Sequence, residues 1–225
     1  MPGGATVMTV RGSAESVEAR LRSGQLPCPC GAALRPWGRA RPRRIAAFGG
    51  LVLVRPRRGI CRGCGRSHVL LPAWLLSRRR YSAPVIFSAL SLAAAGLKVA
   101  AVAARLRLPV PGRPGQWWHV PVSTARSWLS RFAGRAERLR QELMGLLPLV
   151  DPQGRAVTPS GSLSAGALAA LDAVTAGLRA RFAGLDTLAA HEVAAHLTGG
   201  LLLAPSAPAV AGNTTLMVMA AVSPS

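Results

Sequence analysis

The rhythm of apolar positions changes near residue 82. Beyond it, Val85, Ile86, Ala89, Leu90, Leu92 and Ala93 recur at helical spacing, with Ser82 as cap and Gly96 as stop. A second helix is predicted over Lys98–Leu106, with Val99, Val102, Ala103 and Leu106 inward. The Pro- and Gly-rich segment Leu108–Pro121 interrupts the pattern. Ser123 then caps a third predicted helix running to about Met144, whose apolar stripe is Ala125, Trp128, Leu129, Phe132 and Ala136. Residues 148–162 read as a linker. A helix over Ser164–Phe182 follows, with Leu168, Leu171, Val174, Leu178 and Phe182 on one face. Another spans Thr187–Thr198 and ends at Gly199-Gly200. Residues 205–225 carry no clear pattern and are expected to be irregular.

Before residue 82 helical spacing is scarce. Residues 1–26 are small and polar, with a weak helical pattern at Ala14–Leu21 at most, and read as a disordered N-terminal segment. Within residues 27–76, the runs Arg43–Phe48 and Leu51–Arg55 flank Gly49-Gly50 and predict a hairpin turning on the two glycines. Pro42 and Pro56 bracket the strands.

Composition sharpens this outline. The chain has 225 residues, 50% apolar but 4% aromatic, so a core is affordable and helices are favoured over a large sheet. Net charge is +20. From Arg35 to Arg140 there are 22 basic residues and one acid, Glu137; from Asp151 to Ser225 there are three basic and four acidic residues. A GC-rich genome accounts for Arg over Lys, yet it does not remove Asp and Glu. The asymmetry points to a polyanion-binding part and a second part with another task. Met1 is followed by Pro-Gly-Gly-Ala, without the charged and apolar regions of a signal peptide, and no uninterrupted apolar window reaches membrane-spanning length. A cytoplasmic, nucleoid-associated protein without a membrane partner is expected.

Four cysteines carry the clearest chemistry. Cys28-Pro-Cys30-Gly31 and Cys61-Arg-Gly-Cys64-Gly65 are two close thiol pairs, each followed by Gly. Such turns present two sulfurs on one side of a bend, and two of them supply the four ligands of a tetrahedral Zn2+. In the first pair the one-residue spacer is shorter than Cys-x-x-Cys and strains chelation by both thiols; His68 is the alternative ligand. In a reducing compartment thiolates on metal are favoured over disulfides. Residues 27–76 are therefore expected to form a zinc-ribbon-like module, with metal ligands Cys28, Cys30, Cys61 and Cys64.

The basic residues suggest what the module binds. Arg41, Arg43, Arg44, Arg57, Arg58, Arg78, Arg79 and Arg80 would contact phosphates. Residues 82–147 read as a helix-turn-helix-like domain. In its third helix Ser123 caps the N-terminus and leaves its N–H groups for phosphate, Thr124, Arg126, Ser127, Ser130 and Arg131 face outward as a major-groove reader, and Trp128, Leu129 and Phe132 anchor it. The segment 110–120 makes the turn far longer than the usual three or four residues. Catalytic material is sparse. Asp151, Asp172, Asp186 and Glu192 fall mostly on predicted helices, and His191 and His196 stand five apart rather than the four a zinc-protease helix needs. No enzyme is expected.

These residues also carry a resemblance. Cys28-Pro-Cys30-Gly31, Leu34-Arg-Pro-Trp-Gly-Arg-Ala-Arg-Pro-Arg-Arg44, Cys61-Arg-Gly-Cys64, His68-Val-Leu-Leu-Pro72, Val99–Leu106 and Pro121-Val-Ser-Thr-Ala-Arg-Ser-Trp-Leu129 resemble an actinobacterial family of zinc-finger and helix-turn-helix proteins. That family is similar to the N-terminal DNA-binding part of insertion-sequence transposases. The resemblance covers residues 27–140 and, more loosely, the tail through Leu197–Leu201. It implies a double-stranded DNA-binding protein of mobile-element ancestry, regulatory or transposition-associated and without the catalytic domain. The expected fold is mainly α: a small N-terminal β zinc ribbon, the helix-turn-helix-like domain, and a helical tail over residues 163–204 that supplies a homodimer contact. An RNA-associated zinc ribbon and a protein-interaction scaffold are the alternative functions.

Overall fold

In the computed structural model, which describes residues 6–153, 157 and 161–204, the first described element is a strand within the segment 1–26 expected to be disordered, of which residues 1–5 lie outside the described residues. Strand β1 (Thr6–Val10) is β-branched at every position but Met8, runs for only five residues, and has its partner about sixty residues away. Helix α1 (Ala14–Ser23) follows. The Ser13 hydroxyl accepts from the Ser16 N–H at 3.2 Å to start it, and Gly24, at φ +75°, ends it. Val17 and Leu21 are its buried residues.

Strands β2 (Leu34–Arg39), β3 (Arg43–Ala47), β4 (Gly50–Val54), β5 (Arg57–Cys61) and β6 (Ser67–Pro72) come next. The main sheet runs β1-β6-β5-β2. β2, β5 and β6 pair antiparallel, and β1 closes one edge parallel to β6, with Thr6 opposite His68. Strands β3 and β4 form a separate two-stranded ribbon, with Ala47 opposite Gly50. Its turn is Phe48-Gly49, one residue earlier than predicted, because Gly50, at φ +116°, sits inside the ladder.

The remainder is helical, with one exception. Helices α2 (Ala83–Ala94) and α3 (Val99–Arg105) keep close to the predicted bounds. The Pro/Gly-rich excursion after them forms a small hairpin of β7 (Arg107–Pro109) and β8 (Trp117–His119). Helix α4 (Val122–Val150) is capped at Pro121 rather than Ser123 and runs through Pro148, beyond the predicted end near Met144. Its last two turns bury Leu143, Leu146, Leu147 and Val150, and this packing outweighs the proline break. Helix α5 (Leu163–Arg181) lies against α4 so closely that a Cβ on Gly177 would stand 2.9 Å from Val150 Cγ2 and 3.2 Å from the Val150 carbonyl. Helix α6 (Ala190–Leu197) completes the fold.

The expected mainly-α fold with a small ribbon is thus corrected: the described residues are mixed, 44% helical and 22% strand, with a four-stranded sheet. The helices expected over residues 163–204 are present and fold back on the N-terminal half. Thr9 Oγ1 donates to the Ala195 carbonyl at 3.0 Å, the Ser77 N–H to Gly200 at 2.7 Å, and Arg79 to Leu203 at 2.8 Å, so α6 and the turn after it seat on β1 and the loop beyond β6. Helices α5 and α6 bury Leu168, Leu171, Val174, Leu178, Val193 and Leu197 within the chain. One large apolar cluster joins α2–α6 to Ala46 and Leu76, and a small one gathers Val10, Val17, Leu21, Leu26, Cys28, Leu34, Cys61 and Leu70. Among the described residues, α5 has the length and apolarity to cross a membrane, with 50% of it buried as a core helix is. The predicted irregular stretch 205–225 and most of the linker beyond Gln153 lie outside the described residues.

Candidate metal centre and basic surface

The two thiol turns meet at one point, built by backbone hydrogen bonds. Cys28 N–H donates to the Ala32 carbonyl at 2.7 Å and Gly31 N–H to Cys28 at 2.8 Å; Cys61 N–H donates to Arg66 and Gly65 N–H to Cys61, both at 2.9 Å. Gly31 and Gly65 take φ +90° and +69°, which lets the chain reverse behind each second sulfur. Strands β2 and β5 then hold the turns together, since Leu34 pairs with Cys61.

All four sulfurs lie within 4.8 Å of one another. Cys28 Sγ is 3.7 Å from Cys64 Sγ, and Cys30 Sγ is 3.4 Å from Cys61 Sγ. A tetrahedral ion with metal–sulfur bonds near 2.3 Å places its sulfurs about 3.8 Å apart. The observed separations fit such an ion, so the one-residue spacer of the first pair does not exclude either thiol. Space is reserved for the closure: a Cβ on Gly63 would meet Ala32 Cβ at 2.9 Å, with the Cys61 and Cys30 sulfurs at 3.7 and 3.8 Å. The four cysteines can therefore hold one metal ion.

Their protonation reflects unequal surroundings. Burial pushes the Cys28 thiol up to about 12, and the backbone N–H of Cys64 draws Cys61 down to about 7. A bound dication would hold all four as thiolates. Cys28 and Cys61 are buried, while Cys30 and Cys64 open onto a cleft of about 890 Å³ lined also by Thr6, Pro29, Arg66 and His196. That cleft is an entry path for an ion.

His68 stands behind Cys28 rather than in its place. Its Nε2 is 3.3 Å from Cys28 Sγ and its Nδ1 is 2.7 Å from Thr6 Oγ1. The ring is 3% exposed, and burial, then the nearby Arg66, lowers its pKa, which favours the neutral imidazole. With Cys28 as a metal-bound thiolate, the Nε2–H tautomer satisfies both contacts, the Thr6 hydroxyl donating to Nδ1 and Nε2–H donating to sulfur. Thr6 was not found from sequence. The only signal was the run Thr6-Val-Met-Thr-Val10, whose pairing with β6 is long-range.

No protein-family model matches the chain, and neither does any curated protein or solved structure. Its function must be read from its own residues.

The expected phosphate-contacting residues divide into two groups. Arg57 is committed to Glu18, Nη2 to Oε1 at 3.0 Å; Arg58 donates to Ser67 Oγ at 3.2 Å; Arg43 donates to the Arg79 carbonyl, and Arg79 to Leu203. These four brace the fold. Arg41, Arg44, Arg78, Arg80, Arg126 and Arg131 are exposed, as is Ser123, while Thr124 and Ser127 are half-buried. Arg131 also reaches Ser127 Oγ at 3.2 Å. The ion pairs fall on other arginines than these six. Glu18 pairs with Arg22 and Arg57, Glu137 with Arg140, Glu142 with Arg138, and Glu192 with Arg11.

Proposed function

We propose that this chain is a zinc-stapled protein that binds double-stranded DNA and carries no catalytic centre of its own, in keeping with its resemblance to the DNA-binding part of insertion-sequence transposases. Zn2+ is the ion that four thiolates at tetrahedral spacing suit best. It would supply structure rather than chemistry, tying β2 and β5 into a fixed support for the arginines around them.

The observation that carries the DNA reading is the unbalanced charge. No Asp or Glu occurs between Glu18 and Glu137, and most arginines of that stretch reach solvent. A soluble surface has no need of so uniform a sign, whereas a polyanion does. The start of α4 adds a second feature. Pro121 provides no side-chain cap, so the first-turn N–H groups remain for a phosphate, next to exposed Ser123 and Arg126. Helices α2, α3 and α4 pack as a unit through Trp128 and Phe132, with Tyr81 edge-on to Trp128 at 4.9 Å. In this arrangement the β7–β8 hairpin takes the place of a short helix-turn-helix turn.

The test is binding of the zinc-loaded chain to a duplex across a salt series. The logarithm of affinity should fall linearly with that of salt, by about 0.9 per phosphate neutralised. Arg126→Ala should relax sequence preference without lowering thermal stability. A flat salt response, or tighter binding to single-stranded RNA than to duplex DNA, would count against the reading.

A further inference from the structure

Among the described residues, five of the nine exposed large apolar side chains lie on the two hairpins; Trp37, Val122, Leu149 and Leu163 are scattered elsewhere. Phe48, Leu51, Val52 and Leu53 are 46, 45, 40 and 69% exposed, all on the β3–β4 ribbon, and Trp117 of the β7–β8 hairpin is 48% exposed. Three successive exposed residues on β4 mean that neither face of this strand is covered at its centre. Its partner β3, by contrast, is held down. Ile45 is fully buried, and Ala46 exchanges backbone hydrogen bonds with Arg80 and Ser82 at 2.8 and 2.9 Å. The ribbon is therefore an arm with one rooted strand and one outward strand. Beside it stands the second hairpin. A Cβ on Gly50 would lie 3.8 Å from Pro109 Cγ, Pro109 pairs with Trp117, and a gap of about 230 Å³ between the hairpins is lined by Leu51, Leu108 and Trp118. The Arg107 guanidinium sits 5.1 Å over the Trp117 ring.

Charge decides what such an arm meets. Exposed Arg44 lies opposite Leu53 in the ribbon, Arg55 follows β4, and Arg107 and Arg113 belong to the neighbouring hairpin. A second copy would set these arginines against their own kind on a chain of net charge +20, whereas a nucleic acid neutralises them. Chemistry selects the groove. Phe48, Leu51, Val52 and Leu53 have no polar atoms with which to read the donor and acceptor pattern of the major groove. Apolar wedges flanked by arginine are what minor-groove binders place between base steps to unstack and bend a duplex.

We propose that the β3–β4 ribbon is a groove-inserting arm, in which Phe48 and the exposed side of β4 press against unstacked base pairs in the DNA minor groove while Arg44 and Arg55 hold the phosphates on either side. This rests on the duplex-DNA reading above and adds the mode of contact, a bend made by apolar side chains.

The experiment uses the zinc-loaded full chain and a duplex of about 25 base pairs labelled at both ends, so that energy transfer reports bending. Phe48→Ala and Leu53→Ala remove exposed side chains and should leave the thermal melt unchanged. Each should weaken binding by about tenfold and lose the wild-type bend, with an unchanged salt slope because no phosphate contact is lost. Arg44→Ala should instead reduce the salt slope by about one phosphate. Wild-type affinity and wild-type bend in both apolar variants would overturn the arm while leaving duplex binding intact. Unchanged DNA binding together with a shift from dimer to monomer would overturn it in favour of self-association. A wild-type chain that retains no duplex removes both readings at once.

Discussion

At the residue scale the centre depends on a contact outside the four sulfurs. His68 bridges Thr6 and Cys28, so it aligns the buried sulfur and shares its charge. Residues in this position, one step beyond the ligands, commonly change metal affinity by about 10–100-fold when removed. His68→Ala should therefore lower the affinity for Zn2+ by that order, measured by competition with a chromophoric chelator. Asn offers an N–H near the same place and should recover part of the loss. If His68→Ala binds zinc as tightly as wild type, the imidazole is only a packing group. His68 was visible from sequence as a residue of metal-binding type at the right distance from Cys64. Its place behind Cys28 was not, because that depends on the pairing of β1 with β6.

At the element scale the long helix and its partner show packing overruling local preference. In an isolated helix Gly→Ala is stabilising by up to about 1 kcal/mol. At Gly177 the added carbon would stand 3.2 Å from the carbonyl of Val150, a backbone group that a rotamer change cannot move. Gly177→Ala should thus destabilise the chain by about 1–3 kcal/mol, read from chemical denaturation, through separation of α5 from α4. Helices α2 and α5 were legible because their apolar spacing runs for three turns or more and ends shortly before Gly, and the two-turn α3 because Gly96 precedes it and Pro109 follows. The end of α4 was not, since Pro148 is a stop signal by every local rule and is overridden only by the face that Leu147 and Val150 bury. The hairpin β7–β8 was invisible for the opposite reason, because each of its strands is three residues long.

At the scale of the whole molecule two apolar clusters of unequal size predict unequal dependence on metal. The cluster around Cys28 and Cys61 is small, and the sulfurs are part of it; the helical cluster is large and contains no cysteine. Removing zinc with a chelator should therefore loosen β2, β5 and α1 first, while most of the helical signal in the far-ultraviolet persists to a higher temperature. Proton linkage sets the direction with pH. In the metal-free chain burial holds the Cys28 thiol up to about 12, so it is protonated at neutral pH, while the backbone N–H of Cys64 makes Cys61 the readier of the two to ionise. Binding an ion must release the thiol protons, so affinity falls as pH drops and the stabilisation by zinc is lost on acidification. A calorimetric titration in buffers of different ionisation enthalpy measures the release. Zinc affinity independent of pH between about 6 and 8 would contradict thiolate ligation.

The amino-acid order by itself determined the four cysteines and their turns, the extended and acid-free run of arginine, and the helices whose apolar faces repeat every turn. Each of these is local: a thiol pair needs only its own glycine, and a helix closes hydrogen bonds four residues apart. Only the tertiary structure decided that the first five described residues form an edge strand, that the helical tail folds back onto it, and that Arg43, Arg57, Arg58 and Arg79 brace the fold while Arg41, Arg44, Arg78 and Arg80 face outward. Those outcomes turn on partners dozens of residues away, and no local pattern of polar and apolar side chains records which distant backbone edge or carbonyl will be there to meet them.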